Sequence, residues 1–170
     1  MAIDLRSQRF GFAVLEGPTR LLDSGMKRCH AVGAKDSATA VRKKMVSLIT
    51  LFAPSVIVVK QVSGAHGPTR LRNDEVVDAI KHVAKAHALE LIFLKRSHIC
   101  RVFRQSGKKC KVGIAALIAG YFPELAWRVP PKRKNWQPEH HNIIIFDAVS
   151  LGLAYFAQAG DILPAGLQRT

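Results

Sequence analysis

Short apolar runs separated by turn residues dominate the first third of the chain. Residues 10–15 and 20–32 have the composition of strands, and the segment 16–19, Glu-Gly-Pro-Thr, is a hairpin-type turn between them. The part from Met26 to Val32 is expected to continue into a third strand. Asp4 then lies in an opening strand, or at the bend before its longer part.

A helical pattern and a buried strand follow. From Ser37 to Phe52 a capping residue precedes apolar side chains at helical spacing, and Pro54 stops the helix. The aliphatic run from Val56 to Val59 is typical of a strand buried on both faces. The order strand, strand, strand, helix, strand predicts an α/β protein with a mixed sheet and helices packed on it.

The remaining chain continues the α/β pattern. Residues 63–72 form a Gly-rich basic loop, and Asn73 caps a helix that runs to about His87. The later segments are a strand over 89–94, a basic stretch over 96–111, an apolar helix over 112–122, a Pro- and Lys-containing loop over 128–139 and a last helix over 142–159 ended by Gly160. We expect one domain over residues 1–160 and a short C-terminal tail over 161–170.

The net charge of the chain indicates a globular domain that binds a polyanion. The chain has 26 Lys and Arg against 12 Asp and Glu, which gives a net charge of +14. No apolar run is long enough for a membrane span, and no segment has an interfacial helix pattern, so nucleic acid is favoured over membrane. The alternative is a basic, solvated surface. The scattered cysteines and the lack of a signal-peptide pattern indicate a cytoplasmic protein, nucleoid-associated if bacterial.

Two aspartates stand out because their surroundings are apolar. Asp4 follows Met-Ala-Ile, and Asp147 follows Ile-Ile-Ile-Phe near the start of the last helix. A buried carboxylate is costly unless it is paired or bound to a metal. The simpler alternatives are an N-terminal surface acid for Asp4 and a structural helix-start acid for Asp147.

Three motifs in register carry a resemblance to a known family. They are the opening run from Asp4 through Gly11, the strand Val58-Val59-Lys60-Gln61-Val62, and the helix run that starts Asp147-Ala148 and alternates small and aliphatic residues. Together they resemble the RuvC-type Holliday-junction resolvases of the ribonuclease-H-like superfamily, over roughly residues 2–157. The resemblance implies a mixed five-stranded sheet flanked by helices, and a homodimer that acts on branched DNA, with RNA as a further possible ligand.

The same resemblance implies a catalytic role for the two aspartates. Phosphodiester hydrolysis would use two divalent ions, Mg²⁺ or Mn²⁺, bridged by Asp4 and with one of them bound by Asp147. The chain departs from the family at Lys60, where a glutamate is expected, and at Ile144, where an acid or a histidine is common. His141, with its neighbour His140, is a further candidate ligand, against the usual role of such histidines as surface groups.

Lys60 suggests a different use of the site. Its ammonium group could lie between Asp4 and Asp147 and neutralise them as a metal would, with a pair interaction of roughly 4 kcal/mol before desolvation. This second hypothesis makes the protein a catalytically inactive module that binds structured DNA or RNA. The alternative is a register in which Lys60 points to solvent.

Basic side chains form the predicted nucleic-acid surface, because phosphate contacts come mostly from Lys and Arg. The candidates are Arg6, Arg9, Arg70, Arg72, Arg101, Arg104, Lys108, Lys109, Lys111, Lys132, Arg133 and Lys134. Phe103 and Trp136 are candidates for stacking on an unpaired base, and the competing interpretation is that both pack in the core.

Overall fold

The computed structural model describes residues 1–6, 8–29, 34–61, 67–104, 107, 110–132, 136–161 and 163, and for residues 34 and 67–73 the backbone alone. Within these ranges the chain forms five strands. They are β1 (Ala2–Arg6), β2 (Arg9–Glu16), β3 (Arg20–Arg28), β4 (Val56–Lys60) and β5 (Glu90–Leu94). The opening strand predicted around Asp4 is therefore present, and the hairpin turn lies where its sequence indicated.

The strands make one mixed sheet in the order β3-β2-β1-β4-β5. The strands β1, β2 and β3 pair antiparallel in chain order, whereas β4 lies parallel to both β1 and β5. The mixed five-stranded sheet expected from the sequence is confirmed. Its central strand is β1, so Asp4 lies in the middle of the sheet.

Helices cover both faces of this sheet. They are α1 (Ala34–Phe52), α2 (Gly67–Ala86), α3 (Arg96–Arg104), α4 (Lys111–Tyr121) and α5 (Ile143–Ala159), with a 3₁₀ helix over Pro123–Arg128 between the last two. Two apolar clusters result, one under α1 and α2 and the other under α3, α4 and α5. Of the helices in the described ranges, none combines the length and the apolar character needed to span a membrane.

The alternation of side chains along β1 decides which residues face which helices. Ile3 and Leu5 belong to the cluster under α1 and α2, whereas Ala2 belongs to the cluster under α5. Because successive side chains of a strand point to opposite faces, Asp4 shares the α5 face with Ala2. On β4 the same rule places Lys60 with Val58, which also packs on the α5 face.

Several predicted boundaries were wrong. The loop expected over 63–72 is helical from Gly67 onward, because Pro68 lies in the first helical turn, where its missing N–H costs nothing. Arg70 and Arg72 are therefore on a helix. The stretch 96–111 contains the unpredicted α3, whose amphipathic pattern buries Ile99 and Phe103.

The end of α5 agrees with the sequence. Gly160 adopts a left-handed conformation with φ of 90° and its N–H bonds the carbonyl of Phe156, which is the expected glycine stop. Leu163, assigned from sequence to the tail, is buried against the α5-side cluster. The domain limits of 1–160 and 161–170 otherwise stay a prediction.

Candidate functional site: an acid centre between β1 and α5

Asp4 is fully buried, with 0% of its side chain exposed. It lies opposite Gly11 of β2, on the face of the sheet that α5 covers. A Cβ atom added at Gly11 would lie 2.2 Å from the carbonyl oxygen of Ile144. The glycine therefore allows α5 to approach the sheet closely, and this approach brings Asp147, one turn further on, towards Asp4.

Two cations bind the buried carboxylate. Nε of Arg6 donates to Oδ2 of Asp4 at 2.9 Å, and Nζ of Lys60 contacts Oδ1. Arg6 lies two residues along β1 and hence on the same face. On the neighbouring strand, Ala2 pairs with Val58 and Ile3 with Val59, so the register carried one step further sets Lys60 beside Asp4. The sequence hypothesis placed Lys60 between Asp4 and Asp147; Lys60 contacts Asp4, but Arg6 is the residue that binds both aspartates.

The same guanidinium joins Asp4 to Asp147. One terminal nitrogen of Arg6 donates to Oδ2 of Asp147 at 2.5 Å, and Nζ of Lys111 donates to the same oxygen at 3.1 Å. Glu139 completes the cluster, with contacts of 2.7 Å to Lys111 and 3.3 Å to Arg6. We call these six residues, three carboxylates and three cations, the acid centre.

The pKa shifts of the acid centre show which charges are favoured. Burial opposes the charge of Arg6, but the carboxylates of Asp4 and Asp147 outweigh it and raise the pKa of the guanidinium. Burial also raises the pKa of Asp147, and nearby Asp4 adds to the rise, whereas Lys111 and Lys60 oppose it. Arg6 is thus a fixed cation, and Asp147 is the acid whose charge the site disfavours.

The residues present do not fit a pair of divalent ions. Both oxygens of Asp4 and one oxygen of Asp147 are in ion pairs with cationic side chains, although Oδ1 of Asp4 accepts no hydrogen bond. The strand position at which the family resemblance expects a third acid holds Lys60. Across the described part of the chain, no group of three or more His, Cys, Asp or Glu side chains is arranged to hold a metal ion. Arg6, Lys60 and Lys111 therefore occupy carboxylate oxygens that a Mg²⁺ ion would use as ligands.

A cavity of about 380 Å³ opens beside the acid centre. Its lining includes four basic side chains, Arg6, Lys60, Arg96 and Lys111, and a single acid, Asp147. The cavity therefore presents an excess of positive charge to whatever enters it. We call it the cationic cavity.

Of the other predicted basic residues, four have described side chains, and all four lie outside the acid centre. Arg9 is half-buried at the start of β2, and Arg101, Arg104 and Lys132 are exposed. Lys111 and Arg6, by contrast, are held in the acid centre. The side chains of Arg70 and Arg72, and the residues Lys108, Lys109, Arg133 and Lys134, lie outside the described structure.

The two aromatic candidates and the histidine differ in position. Phe103 is 1% exposed within the α5-side core, so its proposed stacking on a base was wrong and the packing alternative holds. Trp136 is 76% exposed, so core packing was wrong for it. His141 is exposed and its ring stacks on that of His140, with ring centroids 4.2 Å apart. Its role as a ligand stays a prediction.

Sequence reasoning missed Glu139 of the acid centre, Arg96 of the cationic cavity and Arg28 on the edge strand β3. Glu139 was treated as part of a loop, and no periodic pattern marks it as an acid that reaches Arg6. Arg96 was hidden in the unpredicted α3. Arg28 lies opposite Arg9 on β3, and Arg9 lies opposite Arg6 on β1, so the three make a row across the sheet. Only the strand register reveals this arginine row.

Comparison with known proteins identifies the fold. No protein-family model matches the sequence, and no curated protein matches it either. RuvC of Thermus thermophilus in complex with a Holliday junction substrate superposes with a TM-score of 0.69 at 14% identity, over 94% of each chain. The yeast mitochondrial Holliday junction resolvase Ydc2 gives a TM-score of 0.62 at 16% identity, over 91% of this chain and 76% of its own.

A viral structure extends the comparison. The fowlpox virus resolvase, solved with Holliday junction DNA, gives a TM-score of 0.54 at 13% identity and covers 92% of this chain and 97% of its own. All of these identities are too low to carry more than architecture. The chain has the fold of these Holliday junction resolvases.

Proposed function

We propose that this protein binds branched DNA and acts on it as a junction-resolving endonuclease. The observation that carries the proposal is the meeting of Asp4, from the central strand, and Asp147, from α5, at one guanidinium group. The family resemblance assigns phosphodiester cleavage to these two positions. Two proteins of the same fold were solved with Holliday junction DNA, which favours a four-way junction as the substrate.

The arginine row supports an anionic ligand on physical grounds. Like charges directly opposite each other on neighbouring strands destabilise a sheet, so the pair Arg9 and Arg28 has a cost in the free protein, whereas Arg6 is already paired with carboxylates. A DNA backbone crossing the row would offset that cost. Since phosphate contacts carry no sequence information, shape would supply the selectivity. We further propose that two copies act together, as the resemblance implies, so that two centres face two strands.

A second candidate is a protein that binds branched nucleic acid without cleaving it. The structural neighbours do not favour this candidate, but the contact between Lys60 and Asp4 supports it, because Lys60 occupies a carboxylate oxygen that a divalent ion would need. The resemblance implies a divalent ion, Mg²⁺ or Mn²⁺, and the side chains in this arrangement do not fit one. The two candidates agree on the ligand and differ only on hydrolysis.

One experiment tests both candidates. A labelled four-way DNA junction, a linear duplex with the same arm sequence and an RNA junction of the same design are titrated with the protein and followed by fluorescence anisotropy. The complexes are then incubated with Mg²⁺ and with Mn²⁺ and analysed for nicks on denaturing gels. We expect the DNA junction to bind at least about tenfold more tightly than the duplex.

Matched variants assign any cleavage to the acid centre. Asp147→Asn removes a carboxylate of the centre, whereas Asp23→Asn removes one from β3, an acid of the same sheet outside the centre. Nicks lost only in Asp147→Asn support the endonuclease. Junction binding without nicks supports the second candidate, and equal affinity for junction and duplex overturns both.

A further inference from the structure

We propose that the acid centre takes a DNA phosphate directly onto its side-chain cations, with no divalent ion between protein and phosphate. This inference rests on the proposed function for its ligand and deepens it by naming how the ligand is held. The residues that would hold the phosphate are Arg6, Lys60 and Lys111, with Arg96 at the wall of the same cavity.

The first support is the occupancy of the carboxylates. Each cation of the centre binds at least one carboxylate, and Arg6 binds all three. The formal charges of the six residues cancel. A divalent ion would have to displace Lys60 or Arg6 from a fully buried aspartate, and the displaced cation would remain within a few ångströms of it. Repulsion between these charges opposes entry of the metal.

The second support is the sign of the charge that a ligand meets. Asp4 is fully buried and does not line the cationic cavity, whereas Lys60, Arg6 and Lys111 keep 22%, 31% and 32% of their side chains exposed. An entering group therefore meets the cations and the partly exposed Asp147, whereas the carboxylate of Asp4 lies behind them. A phosphate oxygen can accept hydrogen bonds from ammonium and guanidinium groups while these keep their inner contacts.

The third support is the size of the cavity. About 380 Å³ is within the range of small-molecule sites and exceeds what a single ion needs. Polar side chains of Gln61 and Ser150 also line it. The space suits a phosphate with part of its sugar, so a backbone segment can enter without an ion as intermediary.

The test compares one variant with the wild type, each with and without one metal ion. Labelled junction is titrated with the wild-type protein and with Lys60→Glu, each in EDTA and in Mn²⁺ at equal ionic strength, while Mn²⁺ binding to each protein is measured separately by calorimetry. We expect wild-type affinity to be equal in EDTA and Mn²⁺ within about twofold. In EDTA, Lys60→Glu should bind the junction at least about tenfold more weakly than the wild type, which is the loss expected for one charge-assisted contact. Mn²⁺ should restore the junction affinity of this variant.

The controls separate this inference from the proposed function. Lys60→Gln replaces Lys60→Glu if the latter fails to fold by circular dichroism, and it should lose affinity without regaining it in Mn²⁺. Lys81→Gln, at an exposed ion pair on α2, should change neither quantity. Two results would overturn the inference alone. One is calorimetric Mn²⁺ binding by the wild type that is lost in Asp4→Asn, and the other is wild-type junction binding that requires Mn²⁺. Absence of any junction binding overturns the proposed function together with it.

Discussion

Replacing Lys60 by methionine should destabilise the fold, because it leaves a buried carboxylate short of one counter-ion. Lys60 contacts Oδ1 of Asp4, whose side chain is 0% exposed. Methionine keeps most of the volume of the lysine chain and removes only the ammonium group. Any loss of stability therefore reports the charge and not a cavity.

The expected magnitude follows from the partners that remain. Removing one partner of a buried ion pair typically costs about 3–5 kcal/mol, since the other charge is left uncompensated. Arg6 still binds Oδ2 of Asp4 at 2.9 Å, and the Lys60 side chain is 22% exposed, so water replaces part of the interaction. We therefore expect about 2–3 kcal/mol. With a urea slope near 2 kcal/mol per M, the unfolding midpoint falls by roughly 1 M.

Urea unfolding followed by circular dichroism measures this change, and a double-mutant cycle identifies its source. Asp4→Asn combined with Lys60→Met removes both charges, so the double variant should be more stable than Lys60→Met alone. Lys81→Met is the matched control, because its ion pair with Asp78 is solvent-exposed and should contribute nothing measurable. A Lys60→Met midpoint equal to that of the wild type, or a double variant no more stable than Lys60→Met, would refute the reasoning.

Three further predictions concern packing, pH and salt. Gly11→Ala should destabilise the protein by at least about 2 kcal/mol, because the added Cβ would meet the Ile144 carbonyl. A Cβ added at Gly120 meets nothing within 4 Å, so Gly120→Ala should not destabilise the protein. The urea unfolding midpoints of the two variants check both expectations. Burial and a neighbouring carboxylate raise the pKa of Asp147, so its ionisation destabilises the folded state as pH rises above about 4. The unfolding free energy of Asp147→Asn should therefore rise relative to that of the wild type between about pH 4 and neutral. A difference between the two proteins that does not change with pH would contradict this. Arg104→Ala, exposed on α3, should reduce the slope of log affinity for junction DNA against log salt by about 0.9, and an unchanged slope would remove it from the interface.

The sheet could be predicted from sequence because apolar runs bounded by turn residues are local signals. Val56–Val59 and the hairpin turn at 16–19 appear in the structure where the pattern put them. The start of α2 could not be predicted in the same way. A glycine followed by Pro68 is compatible both with a loop and with a first helical turn, so the local sequence alone leaves the start of α2 open.

The acid centre could be predicted only in part. The apolar surroundings of Asp4 and Asp147 marked both as unusual, and the resemblance supplied the reason that they meet. Arg6 was assigned to DNA, although its position two residues after Asp4 on one strand face already indicates contact between them. Glu139 lies in an irregular segment before α5, so its approach to Lys111 depends on tertiary structure that no sequence period records.

The register between β1 and β4 explains why one residue decides the chemistry of this centre. Because position 60 lies beside Asp4, a glutamate there would add a second carboxylate, and the two acids together would need a cation from solution. Lys60 supplies that cation from the chain itself. A counter-ion bound covalently to a neighbouring strand does not dissociate, so the charge balance of the buried aspartate is independent of metal concentration. The geometry that would make a glutamate at position 60 a metal ligand instead places the Lys60 ammonium against Asp4, and the inference above assigns the outer side of that ammonium to a phosphate.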